Sequence, residues 1–203
     1  DTGAPYRTVG FYAKECGLSV EDSKKSEKIV PLLSDIRVDI NYYGGTQHVL
    51  LNGQDLGDRI REPEISMYAS AVSSVSEVRD FLLDTQRNIA ENNDVIMDGR
   101  DIGTVIIPDA EVKIFLTASD EARAKRRYKE LREKGMDVDY EQVLSELIER
   151  DLADSQRDIA PCKPAKDAVV IDNSDFSLEE SIAAILKTVE DKTGVRALEK
   201  QDV

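Results

Sequence analysis

The sequence predicts an α/β protein, and three observations carry that expectation. The runs 112–118 (VKIFLTA) and 168–172 (AVVID) are predominantly apolar, through Ile114–Leu116 and Ala168–Ile171, and bounded by polar turns. Such runs suit strands buried on both faces of a parallel sheet. A third run, 94–97, ends abruptly at Asp98, Gly99, Arg100 and Asp101. Segments of helical periodicity lie before the third run and between the other two, which gives the strand–helix–strand spacing of parallel sheets.

The elements follow in order. Residues 5–15 read as a helix with Val9, Tyr12 and Ala13 on one face. Pro5 is compatible with it only in the first turn, where its missing N–H has no intrahelical partner. A helix over 24–33 carries Ile29, Leu32 and Leu33. Residues 37–43 and 47–53 read as strands joined by Gly44-Gly45, a hairpin signal. With helices on both sides, this hairpin is an insert. Helical periodicity returns from Glu64 to Asn92, through Val78, Phe81, Leu82 and Ile89, with Ser74 and Glu77 spaced as a capping box. Residues 119–134 open on an N-cap serine with acids in the first turn but have almost no apolar stripe, so they predict a solvated or lid helix. Residues 139–152 have a firm stripe and a capping pair in Asp139 and Gln142. Ile182, Ala183, Ile185, Leu186 and Val189 mark a last helix, and the chain after Gly194 reads as frayed.

The 203 residues are 40% hydrophobic and 33% charged, with a formal net charge of −14. That acidity argues against nucleic-acid polymers and membrane surfaces as partners, but not against a small anion where arginines are concentrated. The apolar runs fall short of the roughly 20 residues a bilayer needs. Cys16 and Cys162 lie far apart without a CxxC, which suggests neither a disulfide framework nor a zinc site and fits a cytoplasmic protein. His48, the single histidine, reads as a residue on the sheet surface.

Three sets of residues carry candidate chemistry. Asp98, Gly99, Arg100 and Asp101 directly follow a predicted strand, where open parallel sheets bind ligands. Gly99 permits close backbone approach or a positive φ, Arg100 offers a planar donor fork for phosphate, and Asp98 is placed to orient a metal-bound water or an arginine. A turn with a surface ion pair is the alternative. In ERDLADSQRD (149–158), Arg150, Asp154 and Arg157 fall at i, i+4 and i+7, along one helical face. Taken alone, they read slightly better as a solvated salt-bridge ladder. The third set is scattered: Arg7, Arg59, Arg61 and Arg79 with Ser70 and Ser73, and Arg123, Arg126, Arg127 and Arg132 on the lid helix. Singly each reads as a surface residue; together they suggest a polyphosphate ligand.

The segments DTGAPYRTVGFY, IREPEIS…ASAVSSVSEVR, DGRDIGTVIIPDAEVKIFLTAS, RRYKELREKG and ERDLADSQRDIAP, in that order, resemble the bacterial cytidylate kinases, which pass the γ-phosphoryl group of ATP to CMP or dCMP. The resemblance runs from Asp1 to about Val189. It implies the P-loop nucleoside monophosphate kinase fold: a parallel sheet flanked by helices, an inserted β-containing lobe and a helical lid. On that reading the core takes 1–33 and 59–118, the monophosphate-binding insert 34–58, the lid region 119–157, and the last strand and helix 158–203. It implies that Asp154 reads the cytosine amine, a carboxylate being the expected acceptor there, with Ser70 and Arg79 at the other base-contacting positions. Arg7, Arg100 and Arg157 match the arginines on the CMP phosphate, and Asp101 joins the substrate-binding set. Arg150, Arg126 and Arg127 match groups that close over the transferring phosphoryl. Asp98 matches the carboxylate on the sugar and metal side, and Thr2 stands near the acceptor. Mg²⁺ carried with ATP, a monomeric state and a place in pyrimidine nucleotide metabolism are further implications.

The pattern also departs from the family. No G-x-x-x-x-G-K-[ST] loop occurs in the 203 residues, although the family uses one to cradle the ATP phosphates. The expectation is therefore a chain without its first strand and phosphate loop, poorly stable and inactive by itself. A non-catalytic nucleotide-binding module and another monophosphate kinase, such as a UMP enzyme, are the alternatives. Pro5 replaces the usual bulky aliphatic residue before Tyr6-Arg7, and Cys162 takes an aliphatic position with a small buried role expected.

Overall fold

The computed structural model describes residues 1–196 and divides the chain into two compact units. The first takes Asp1–Ile102 and Arg157–Pro161; the second takes Gly103–Gln156 and the chain from Cys162 onward. The predicted frayed tail after Gly194 lies mostly outside the described residues.

In the first unit, helix α1 (Gly3–Glu15) packs on helix α3 (Pro63–Ser73). The two backbones approach closely at Gly10, where a Cβ would fall 2.9 Å from the Ala69 amide nitrogen. Pro5 is the third residue of α1, inside the first turn. Helix α2 (Ser26–Leu33) and helix α4 (Ser76–Asn92) close the same core, which includes Val9, Ala13, Ile29, Val72, Val78 and Leu82.

Strands β1 (Val38–Tyr43) and β2 (Thr46–Leu51) pair antiparallel, from Val38 opposite Leu51 to Tyr43 opposite Thr46. Gly44 and Gly45 have φ of 59° and 74°, as a two-residue hairpin turn of matching twist requires. The predicted strand over 47–53 ends at Leu51, because Asn52-Gly53 makes a second such turn into a short strand β3 (Gln54–Asp55).

The helical stretch from Glu64 to Asn92 is broken at Ser74 and Val75, and the predicted capping box does not form. Val75, with φ −91° and ψ 123°, holds the N-cap position of α4, so Ser74 lies one residue too early. Its hydroxyl donates back to the Ala71 carbonyl at 2.7 Å, while Glu77 accepts from the hydroxyls of Ser26 and Ser76.

Residues 94–97, predicted as a strand, stay outside any sheet, and Ile96 is fully exposed. A strand needs a neighbour for its backbone groups. The sheet of the first unit is the β1–β3 meander, and none of its strands pairs with this run.

The second unit contains a parallel pair, β4 (Ile114–Thr117) and β5 (Val169–Asp172), in register from Ile114 opposite Val169 to Thr117 opposite Asp172. Helix α5 (Asp120–Glu133) is capped by Ser119, whose hydroxyl accepts from the Ala122 amide. It packs on helix α6 (Tyr140–Gln156), where the rings of Tyr128 and Tyr140 meet edge to face at 5.9 Å. At the start of α6, Asp139 accepts from the Gln142 amide at 3.1 Å, but the Gln142 side chain bonds Glu146 rather than completing a box. Helix α7 (Leu178–Thr193) opens on a complete capping box of Ser177 and Glu180. Among the described residues no helix is long and apolar enough to cross a membrane.

Candidate functional site

The first unit buries a cluster of charge where α1, α3 and α4 meet the 98–101 segment. Arg79, in the first turns of α4, forms an ion pair with Asp101, and both side chains are buried. A second guanidinium nitrogen of Arg79 donates to the Ser73 carbonyl at 3.2 Å, and the group lies 5.3 Å over the Tyr6 ring. Burial pushes the Tyr6 phenol up to about 12, against the opposing pull of the Arg79 charge. Arg157 reaches the same place: its Nη1 donates to the Ser73 hydroxyl at 3.2 Å and its Nε to the Ala160 carbonyl at 2.7 Å. Ala160 adopts a positive φ of 48°. Ser73 therefore engages two arginines, and its hydroxyl donates in turn to the Ser70 carbonyl at 2.9 Å.

A second set of bonds fixes the 98–101 segment from its other end. Both the amide and the hydroxyl of Thr2 donate to the Asp98 carbonyl, at 3.1 and 2.6 Å. Gly99 is required by close approach rather than by a positive φ: a Cβ there would fall 2.3 Å from Thr2 Oγ1. Gln86 of α4, also buried, donates to the Thr2 carbonyl at 3.2 Å. Arg7 pairs with Asp1 at 3.1 Å. Arg100 and Asp98 are exposed.

The second unit holds the remaining predicted residues. Asp154 is buried and lies 3.9 Å from Arg150 Nε, one turn earlier on α6. Helix α6 ends at Gln156, and Arg157, the next residue, donates to Ser73 and Ala160. Arg126 donates to the side chain and the carbonyl of Asn173, beyond β5, at 3.2 and 2.6 Å. With Ser119, Lys125, Ser174 and Phe176 it lines a cleft of about 390 Å³ at the carboxyl ends of β4 and β5. Arg127 pairs with Glu130 at 2.8 Å, Arg132 with Asp137 at 2.7 Å, and Arg123 with Asp120 and Asp151.

Other candidates have structural duties. Arg59 lies over the Phe11 ring and donates to the Leu56 carbonyl, and Arg61 is 3.9 Å from Asp58. His48 stacks on Tyr43 and meets Asp55 at 2.7 Å, on the sheet surface. Cys16 is exposed and Cys162 is half-buried, not buried as expected. Among the described residues no group of three His, Cys, Asp or Glu is arranged to hold a metal. Tyr6, Gln86 and Asn173 were not singled out from the sequence. Gln86 carried a signal there: it interrupts the apolar stripe of α4 between Leu82 and Ile89.

A family model described as cytidylate kinase matches residues 1–191. The chain belongs to the cytidylate kinase family. It is 51% identical over 192 residues to the cytidylate kinase of Thermosipho melanesiensis, covering 95% of this chain and 84% of that protein. With the cytidylate kinase of Caldicellulosiruptor saccharolyticus it shares 48% over 187 residues, 92% of this chain and 81% of the relative. With that of Thermotoga maritima it shares 44% over 192 residues, 95% and 84% respectively. Membership implies the P-loop nucleoside monophosphate kinase fold, and the α/β organisation with its parallel strand pair accords with it. Both the buried arginine cluster and the cleft beyond β4 and β5 lie within the residues that the cytidylate kinase model matches.

Proposed function

We propose that the chain binds CMP or dCMP as the acceptor in ATP-dependent phosphoryl transfer. The observation that carries this is the convergence of Arg79 and Arg157 on Ser73, beside the segment that presents Arg100. Buried or half-buried guanidinium forks with fixed partners are pre-organised for a phosphate monoester and a polar base. In this reading Arg7, Arg100 and Arg157 hold the phosphate, and Ser70, Arg79 and Asp154 hold the base. Asp101 fixes Arg79 by their ion pair, so the arginine meets the ligand without first losing side-chain freedom. Asp154 accepts from the cytosine amine, which a uracil does not offer. Arg150 and the α5 arginines Arg126 and Arg127 serve the transferring phosphoryl, where positioning and charge neutralisation supply most of the catalysis.

Mg²⁺ would enter with the donor phosphates, and exposed Asp98 is the carboxylate that would hold it through water, since such ions keep several waters and few carboxylates. When bound it neutralises phosphate charge. The cleft bordered by Arg126 and Lys125 is the proposed donor side. The 203 residues contain no G-x-x-x-x-G-K-[ST] loop, so by themselves they are expected to bind CMP without forming ADP.

The test is calorimetric titration of the chain with CMP and UMP, before and after Asp154→Ala. CMP binds tighter than UMP to the parent chain, and the substitution lowers CMP affinity about tenfold or more, within the ~1–3 kcal/mol of a base-reading contact, while leaving UMP nearly unchanged. Equal losses for the two nucleotides defeat the base-reading role, and CMP-dependent ADP formation overturns the assignment of binding without turnover.

A further inference from the structure

We infer that Gln86 is a positioning residue for the acceptor phosphate, acting through Thr2 on the backbone of the 98–101 segment; this rests on the CMP-binding reading above. Gln86 is 1% exposed, deep in the first unit, where an apolar side chain of similar length would fill the same space. Its Nε2 donates to the Thr2 carbonyl at 3.2 Å, and no protein donor among the described residues reaches its Oε1. A buried amide with one used end is a weak choice for stability. Its placement is informative instead. The Thr2 carbonyl begins α1, and the same residue grips the Asp98 carbonyl with its amide and its hydroxyl. Because Gly99 leaves no room between its α-carbon and Thr2 Oγ1, any movement of Thr2 is transmitted to the residue before Arg100.

Arg79 and Gln86 lie seven positions apart on α4, about 20° from eclipsing one another. One helix therefore sets both ends of the segment: Arg79 fixes Asp101 and Gln86 fixes Asp98 through Thr2. Between these two anchors stands Arg100, which we place on the phosphate. Losing the Gln86 anchor frees the Asp98 end and leaves the Asp101 end tied. The expected deficit is confined to the phosphate.

The experiment compares CMP and cytidine binding to the 203-residue chain, to Gln86→Met and to Thr2→Val, with melting temperatures for each. CMP affinity falls about fivefold or more in Gln86→Met, cytidine affinity stays within about twofold, and Tm is unchanged or higher. Thr2→Val, which removes the hydroxyl bond to Asp98 and keeps the side-chain shape, shows the same phosphate-selective loss and serves if Gln86→Met does not fold. Equal CMP binding by parent and variants overturns this inference alone, as does a parallel loss for CMP and cytidine. Absence of CMP binding by the parent chain overturns the CMP-binding reading and this inference with it.

Discussion

Helices α1 and α7 are both amphipathic, yet they meet different fates. Val9 and Ala13 of α1 are 1% and 0% exposed, whereas Ile182 and Leu186 of α7 remain 48% and 45% exposed. The same contrast holds between the two units. The first encloses a core of apolar side chains between its helices, though Met67 and Ile96 stay outside it, and Gly10 lets α1 and α3 approach to backbone contact. In the second, Leu116 and Val170 of the parallel strands also stay open, and its buried apolar residues on α5 and α6 are few, Ala124, Leu131 and Val143. Periodicity reports that a helix has an apolar face; only a packing partner turns that face into stability. The first unit is thus the firmer scaffold, and it is the one that carries the buried arginine cluster.

Three substitutions sharpen or break this comparison. Asp101→Ala leaves the Arg79 charge buried without its carboxylate, so it is expected to cost about 3–5 kcal/mol in urea denaturation. A loss below about 1 kcal/mol would show that the first unit tolerates an unpaired buried charge and is not the firmer scaffold.

The second is a pH effect. The folded state raises the Tyr6 phenol from 10 to about 12, so it holds that proton more tightly than the unfolded chain. The resulting stability is complete below pH 10 and is lost as pH rises toward 12, by about 2–3 kcal/mol in all. Tyr6→Phe removes that increment of alkaline destabilisation, measured as the difference between the two proteins' stability–pH curves. Parallel curves would show the phenol to be solvated.

The smallest effect belongs to the second unit. Leu186→Gln on the open face of α7 is expected to shift stability by no more than about 0.5 kcal/mol. A loss of 2 kcal/mol or more would mean that this face is covered in solution.

Local signals were the legible part of the fold. Gly44-Gly45 announced the hairpin, and the serine at 119 announced the cap of α5. The Asn52-Gly53 turn and the Ser177–Glu180 box were equally written in the sequence but not used. Residues 94–97 misled because an apolar run specifies a buried environment, whereas a strand also needs a hydrogen-bonded neighbour that no local pattern names. The site divides in the same way. Residue type and spacing singled out Asp101, Asp154 and Arg157 with a surface ion pair or salt-bridge ladder as the alternative, and Arg79 singly read as a surface residue; the resemblance gave all four their site roles. That Ser73 joins Arg79 to Arg157 depends on a contact between residues 84 apart in sequence.

The fit of Gly99 against Thr2 also constrains how this sequence can diverge. A side chain gained at position 99 collides with the Thr2 hydroxyl unless position 2 has already become smaller. A smaller residue at position 2 in turn gives up the hydroxyl that holds the Asp98 carbonyl. The two positions, 97 residues apart, are therefore expected to change together or not at all, and the order of substitution decides which path is open.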